Sequence, residues 1–372
     1  MISVSTLRSG VERLYRRFRP DERGLPDIVS VHDASVGRRH LKEVAPLRDA
    51  QTLHAQRRHA GEEKELTRRL PARRAYRLQN VRVWLDEGIV MTPQGKLVAE
   101  TLPSHYRTLK RLRAGAYDVA PPARHAMETV EQCTSLKGGR YHGNYYHRWV
   151  DEIPRLQALH RLGETPVVTL PSGYPVQLVQ MIERLAPAGV RLHQATSREE
   201  WVHAREMLYV PPMTDDYCGY LPARFVRTLR KNVVEVLAPD DDVNTQGRRY
   251  YVSRAGGDTR RVLNEPAVTR CLSKYGFEIV RAETLSIREQ VRRFSKADWI
   301  MGPHGAGLTN MMFATGCTIV EFFPGVPFTH YRWLSESLGH TYHSIAGESD
   351  AEKNADFAVD LSRLRQILEA HT

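Results

Sequence analysis

The chain has 372 residues, 41% hydrophobic and 26% charged, with a formal net charge of +11. That length is long for one hydrophobic core and comfortable for two, so two lobes are expected. No apolar run approaches the roughly 20 residues that span a bilayer, and the N-terminus lacks the apolar segment of a secretory signal, which predicts a soluble, cytoplasmic chain.

The charge is uneven: residues 1–80 hold 18 Lys and Arg against 10 Asp and Glu. Residues 1–70 read as a basic, irregular arm, in which Leu7, Val11, Leu14 and Phe18 mark a short amphipathic helix. A solvated surface competes with peripheral contact on the anionic inner face of a membrane. Without interleaved aromatic platforms, nucleic acid is not expected as a partner. Cys133, Cys218, Cys271 and Cys317 form no CxxC pair, which removes zinc-knuckle and dithiol chemistry and leaves buried thiols.

Residues 71–238 form the predicted N-terminal lobe. It begins with a small β meander over Val81–Leu85, Gly88–Met91 and Lys96–Val98, turned by Pro93–Gly95. A strand at Pro166–Leu170, a helix over Val176–Leu185, a strand at Val190–Leu192 and a helix over Ala223–Leu237 then give a βαβ rhythm. The polar stretch Ala238–Gly247 reads as the linker, and its Asp240–Asp242 run as a solvated loop, not a metal-binding motif.

Residues 239–346 alternate five strands (Arg249–Ser253, Phe277–Val280, Trp299–Met301, Thr318–Phe322, Tyr342–Ile345) with helices, an open doubly wound sheet. Residues 347–372 are expected to end in a helix. The fold class is therefore α/β, with two Rossmann-like lobes, a small β meander and a basic N-terminal arm.

Four constellations carry chemistry. In Gly302–Asn310 a strand ends, the backbone turns on glycines and a helix begins. Gly305, Ala306, Gly307, Leu308, Thr309 and Asn310 could cradle phosphates there, with His304 donating to a phosphate or sugar hydroxyl; a tight turn with a core histidine is the plain alternative. Arg254 closes a parallel strand and Arg260 follows in the same loop, where guanidinium forks suit a diphosphate. Glu321, a carboxylate within an apolar strand, would hold ribose hydroxyls or form a structural ion pair. In Asn144–Arg155, His147 and Asp151 are i, i+4 neighbours able to act as a general base, and Pro154 should loosen the helix just beyond them; a surface ion pair is the alternative. No cluster has metal-ligand spacing, and neither GxSxG nor a P-loop occurs.

Taken in order, YVSR (251–254), RRVLNE (260–265), GFEIV (276–280), LSIREQV (285–291), GPHGAGLTNMMF (302–313) and VEFFP (320–324), with HRWVDEIPRL (147–156), resemble glycosyltransferase family 61 over residues 75 to 346. The resemblance implies a GT-B fold and inverting transfer from a UDP-sugar to a glycan hydroxyl without an obligatory metal or other cofactor. Bacterial relatives serve capsular or surface polysaccharide synthesis. On this reading Arg254, Arg260 and the amides near Gly305–Leu308 carry the diphosphate, Glu321 the ribose, Asp151 is the base with His147 as partner or rival, and Asn144 and Arg155 shape the acceptor side. A non-catalytic nucleotide-sugar or glycan-binding protein and a phosphosugar transferase are the alternative functions.

Overall fold

A computed structural model of the chain describes residues 73–102, 126–137, 144–212, 214, 221–239, 247–325, 329–347 and 355–371, with strand segments 28–29, 43–45, 53–59 and 62–68 before them. The expected helix around Leu7–Phe18 and the Asp240–Asp242 run lie outside these residues.

Strands β1 (Ile28–Val29), β2 (Glu43–Ala45), β3 (Leu53–His59) and β4 (Glu62–Arg68) occur where an irregular arm was expected, and β5 (Arg73–Arg74) follows at the start of the next segment. β3 and β4 pair antiparallel, in a register that sets Arg58 opposite Glu63.

The main sheet of the N-terminal half has the order β1-β8-β7-β6-β12-β9-β10-β11. Its members are β6 (Tyr76–Trp84), β7 (Ile89–Met91), β8 (Leu97–Val98), β9 (Glu128–Ser135), β10 (Val167–Leu170), β11 (Leu192–Gln194) and β12 (Trp201–Tyr209). The meander β6–β8 is antiparallel as expected, but it is not separate. β12 pairs antiparallel with β6 and parallel with β9, and so splices the meander onto the parallel strands β9–β11. Helices α1 (Tyr145–His147) and α2 (Ile153–Leu162) are joined by a π turn over Arg148–Glu152, and α3 (Val176–Leu185) and α4 (Ala223–Leu237) follow.

The C-terminal half is a five-stranded parallel sheet in the order β14-β13-β15-β16-β17. The strands are β13 (Arg248–Val252), β14 (Phe277–Val280), β15 (Ala297–Pro303), β16 (Thr318–Pro324) and β17 (Thr341–Gly347). Their connections are α5 (Glu265–Ser273), α6 (Ile287–Phe294), a 3-10 helix over Ala306–Phe313 and α7 (His330–Leu338), and α8 (Leu361–Glu369) closes the fold. α6 starts on a reciprocal cap in which Ser286 and Glu289 satisfy each other's backbone amides, which fixes where the crossover begins.

One hydrophobic cluster runs through both halves, from Leu136, Trp149, Leu156 and Val168 to Val252, Ile300, Phe313 and Leu334. Trp149, wholly buried, meets Phe313 edge-on at 4.8 Å between ring centroids. Among the described residues no helix is long and apolar enough to cross a membrane.

Candidate active site

The order β14-β13-β15 contains a topological switch. The chain leaves β13 for β14 on one side, then crosses over β13 to reach β15 on the other. The carboxyl ends of β13 and β15 therefore diverge and leave a crevice, where ligands of such sheets bind. A pocket of about 290 Å³ occupies it, walled by Ser253 and Arg254 just after β13, by Gly305–Leu308 after β15 and by Tyr145 from α1.

The Arg254 side chain and Val252 occupy the space that a side chain would take at two of these glycines. A Cβ on Gly305 would stand 2.5 Å from Arg254 Nη1, and one on Gly307 2.7 Å from Val252 Cγ1, so the loop lies pressed against β13. The helix that follows is 3-10 and begins at Ala306, earlier and tighter than the expected Leu308–Phe313 helix. Leu308 N–H donates to Gly305 O at 3.0 Å, which occupies one of the amides expected to meet phosphate. Arg254 is steadied by its Nε–H, which donates to Thr259 O at 2.8 Å.

Thr309 and Asn310 are fully buried behind the loop rather than lining it. Thr309 Oγ1 lies 3.2 Å from Tyr331 Oη, and Tyr331 O–H donates to Gly305 O at 2.6 Å. Asn310 Nδ2 donates to Gln290 Oε1 and Gly307 O, and its Oδ1 accepts from Tyr145 O–H at 2.8 Å. These two residues brace the loop and tie it to α1.

Glu321 differs most from expectation. It is wholly buried, accepting from His304 Nδ1–H at Oε1 and from Tyr342 O–H at 2.6 Å at Oε2. Both its oxygens are engaged inside the protein, where it is the buried partner of His304, the arrangement that makes a carboxylate tolerable within an apolar sheet. Burial and the Glu321 charge hold the Tyr342 hydroxyl well above its ordinary pKa, so it remains a donor.

Beyond His304 stand His330, at 5.8 Å between ring centroids, and Tyr331, at 5.3 Å. Arg260 belongs to the same neighbourhood: burial and the Arg254 charge draw its pKa down, while Tyr331 and Glu321 oppose them. Its backbone sits in the left-handed region at φ 60, a conformation that costs a non-glycine residue roughly 1 kcal/mol and clusters at functional sites.

From the other half, His147 Nδ1–H donates to Asp151 Oδ2 at 2.7 Å. Asp151 Oδ1 accepts from Thr214 O–H at 2.6 Å and Thr214 N–H at 3.2 Å, so the carboxylate is held at both oxygens. The loosening expected from Pro154 takes the form of the π turn. Proline has no N–H for Val150 O, and Ile153 N–H bonds Arg148 O five residues back instead. Asn144 caps α1 by accepting from Tyr146 N–H at 2.9 Å.

Arg155 does not face an acceptor. It is 1% exposed, and its Nη1 donates to the carbonyls of Ser135, Leu136 and Lys137, tethering the end of β9. Tyr146 links the two histidine–carboxylate pairs, its ring edge-on to His147 at 5.0 Å, to Tyr331 at 5.5 Å and to His330 at 5.9 Å.

Sequence reasoning missed Tyr145, Tyr146, Thr214, His330, Tyr331 and Tyr342. Only the first two lie in a motif; the others come from a loop, a helix and a strand that meet it through the fold. The assembled site offers two oriented imidazoles, two arginines and a glycine-rich turn, which suits an anionic leaving group opposite a hydroxyl nucleophile. Among the described residues no group of three or more His, Cys, Asp or Glu is placed to hold a metal ion.

Comparison with known proteins is consistent with such a site. The family model described as Glycosyltransferase 61 matches residues 145–320, which contain His147, Asp151 and His304 and end at Val320, one residue before Glu321. A beta-1,2-xylosyltransferase of Oryza sativa subsp. japonica is 29% identical over 119 residues, 31% of this chain and 20% of the relative. A beta-1,2-xylosyltransferase of Arabidopsis thaliana is 29% identical over 103 residues, 27% of this chain and 19% of the relative. These matches thus span about a fifth of the length of the plant proteins.

Proposed function

We propose that this chain, whose residues 145–320 match the Glycosyltransferase 61 family model, transfers a sugar from a UDP-sugar to a hydroxyl of a glycan, inverting the anomeric centre. The two sheets serve as the facing halves of a GT-B arrangement. The plant relatives are named xylosyltransferases, which makes a pentosyl donor the first to try, and a surface polysaccharide is the acceptor class proposed. The observation that carries this reading is the pairing, through Tyr146, of His147–Asp151 with a switch-point pocket floored by Arg254 and a glycine-rich turn.

In the proposed step the acceptor oxygen attacks the anomeric carbon from the face opposite the diphosphate. The bond from the acceptor oxygen to carbon forms as the bond from carbon to the diphosphate oxygen breaks, and the acceptor proton goes to the enzyme. With Nδ1–H given to Asp151, the His147 lone pair is at Nε2. Because both Asp151 oxygens are already engaged, the geometry favours His147 as the proton acceptor, with Asp151 fixing its tautomer and stabilising the imidazolium. Arg254, Arg260 and the loop amides would neutralise the departing diphosphate, with His304, oriented by Glu321, beside them.

Steady-state kinetics on His147→Ala and Asp151→Asn test the step. General-base catalysis contributes roughly 10²–10⁴-fold, so kcat should fall by about that factor in both while donor affinity stays near that of the parent. Transfer at the parental rate in either variant would contradict the assignment.

A further inference from the structure

With Glu321 sealed beneath His304, the site as described has no group for the ribose, yet the pocket supplies one. We infer that Glu283 is the carboxylate that binds the ribose hydroxyls of the donor nucleotide; this rests on the glycosyltransferase reading above.

Glu283 lies in a short 3-10 turn, Ala282–Thr284, that begins two residues after β14. It lines the switch-point pocket, and it is the one carboxylate among the residues that do. Its Oε1 accepts from Arg281 Nε–H at 3.1 Å, and both side chains are about half exposed, at 56% and 52%. Among the described residues Oε2 receives no hydrogen bond, so the carboxylate keeps acceptor capacity facing the crevice. A solvated pair of this kind is weak and easily surrendered to a ligand.

Direction decides the assignment. The reacting groups, His147, His304 and Arg260, gather on the β16 and α7 side of the glycine turn. A diphosphate on Gly305–Leu308 with its sugar pointing toward them must extend its nucleoside the other way, across β13 toward β14. The β14 end is where Ala282 and Glu283 form the wall. On that path Gly256 leaves room: a Cβ there would stand 3.5 Å from Glu283 Oε1 and 2.9 Å from Arg281 Nη2. An acidic side chain at the end of the neighbouring strand is also what doubly wound folds use to accept from ribose hydroxyls.

The other polar side chains of the wall are committed. Ser253 O–H donates to Glu265, Gln290 bonds Leu285 O and Asn310, and Tyr145 O–H donates to Asn310.

The test is calorimetric binding of UDP, ADP and GDP, each beside its 2′-deoxy and 3′-deoxy forms, to the full chain and to Glu283→Ala and Arg281→Ala. The parent should prefer the ribonucleotide over at least one deoxy form by tenfold or more. Glu283→Ala should bring that ratio to within about twofold of unity with deoxy affinity unchanged, and Arg281→Ala should keep it. A parental ratio retained in Glu283→Ala, or no ribose preference in the parent, would overturn the assignment while leaving the transferase reading intact. Failure of the parent to bind any of the nucleotides would overturn both.

Discussion

His340 shows how one side chain reports the packing of the C-terminal half. Its Nδ1 accepts from Cys317 N–H at 3.2 Å and its Nε2–H donates to Met311 O at 3.0 Å, a pattern that only the neutral ring satisfies. Burial, with the charges of Arg230 and Arg227, draws its pKa down from 6.5 to about 4. The unfolded chain therefore binds a proton in that window which the folded chain refuses, and stability must fall as pH drops from about 6.5 toward 4. The full loss is about 3 kcal/mol, and His343, also depressed by burial, acts in the same direction. Chemical denaturation of His340→Asn against the parent across pH 4 to 7 should show a shallower slope in the variant; parallel curves would refute the neutral, buried assignment.

The same scale explains why the surroundings of Glu321 are not legible in the sequence. An acid in an apolar strand signals a special partner, but nothing local says which. His304 is 17 residues away and comes within reach because β15 and β16 are adjacent parallel strands in which Pro303 faces Phe322. By contrast, His147 and Asp151 are legible as a pair because four residues on a helix suffice to join them.

At the scale of elements, the π turn over Arg148–Glu152 lies between His147 and Pro154 and carries Asp151, so it sets how the proposed base pair is presented. Pro154→Ala would restore an amide able to bond Val150 O and allow ordinary α-helical register through the segment. The rotation would swing His147 and Asp151 relative to Tyr146 and Thr214. The expected outcome is unchanged or higher thermal stability with kcat reduced at least tenfold. A variant with parental kcat would mean that the π turn does not position the pair.

Elements with one strong apolar stripe were readable. The helices Val176–Leu185 and Ala223–Leu237 have the boundaries read from their periodicity. β9 and β12 were not. Glu128, Glu131, Gln132, Arg205 and Glu206 interrupt their apolar pattern, and only pairing with each other and with β6 makes these segments strands. Without β12, the meander looked like a separate piece.

For the molecule as a whole, a shared core and the Tyr145–Asn310 and Tyr146–Tyr331 contacts hold the two sheets so that their carboxyl-end loops meet at one place. The parallel order of the second sheet was legible from its regular alternation of strand and helix. The meeting of the halves was not, since it depends on contacts between residues more than 160 apart, such as Tyr145 and Asn310. The central claim is that a nucleoside diphosphate occupies the switch-point pocket against Arg254. Gly305→Ala probes it with little other disturbance, because the added Cβ would collide only with the mobile end of Arg254, 2.5 Å away at Nη1. The direct measurement is binding of UDP, GDP, ADP and CDP to the parent, to Gly305→Ala and to Arg254→Ala, with folding checked by circular dichroism. The account predicts that one nucleotide binds the parent and that its affinity falls tenfold or more in both folded variants. Parental affinity in both, or binding of none of the four by the folded parent, would contradict it.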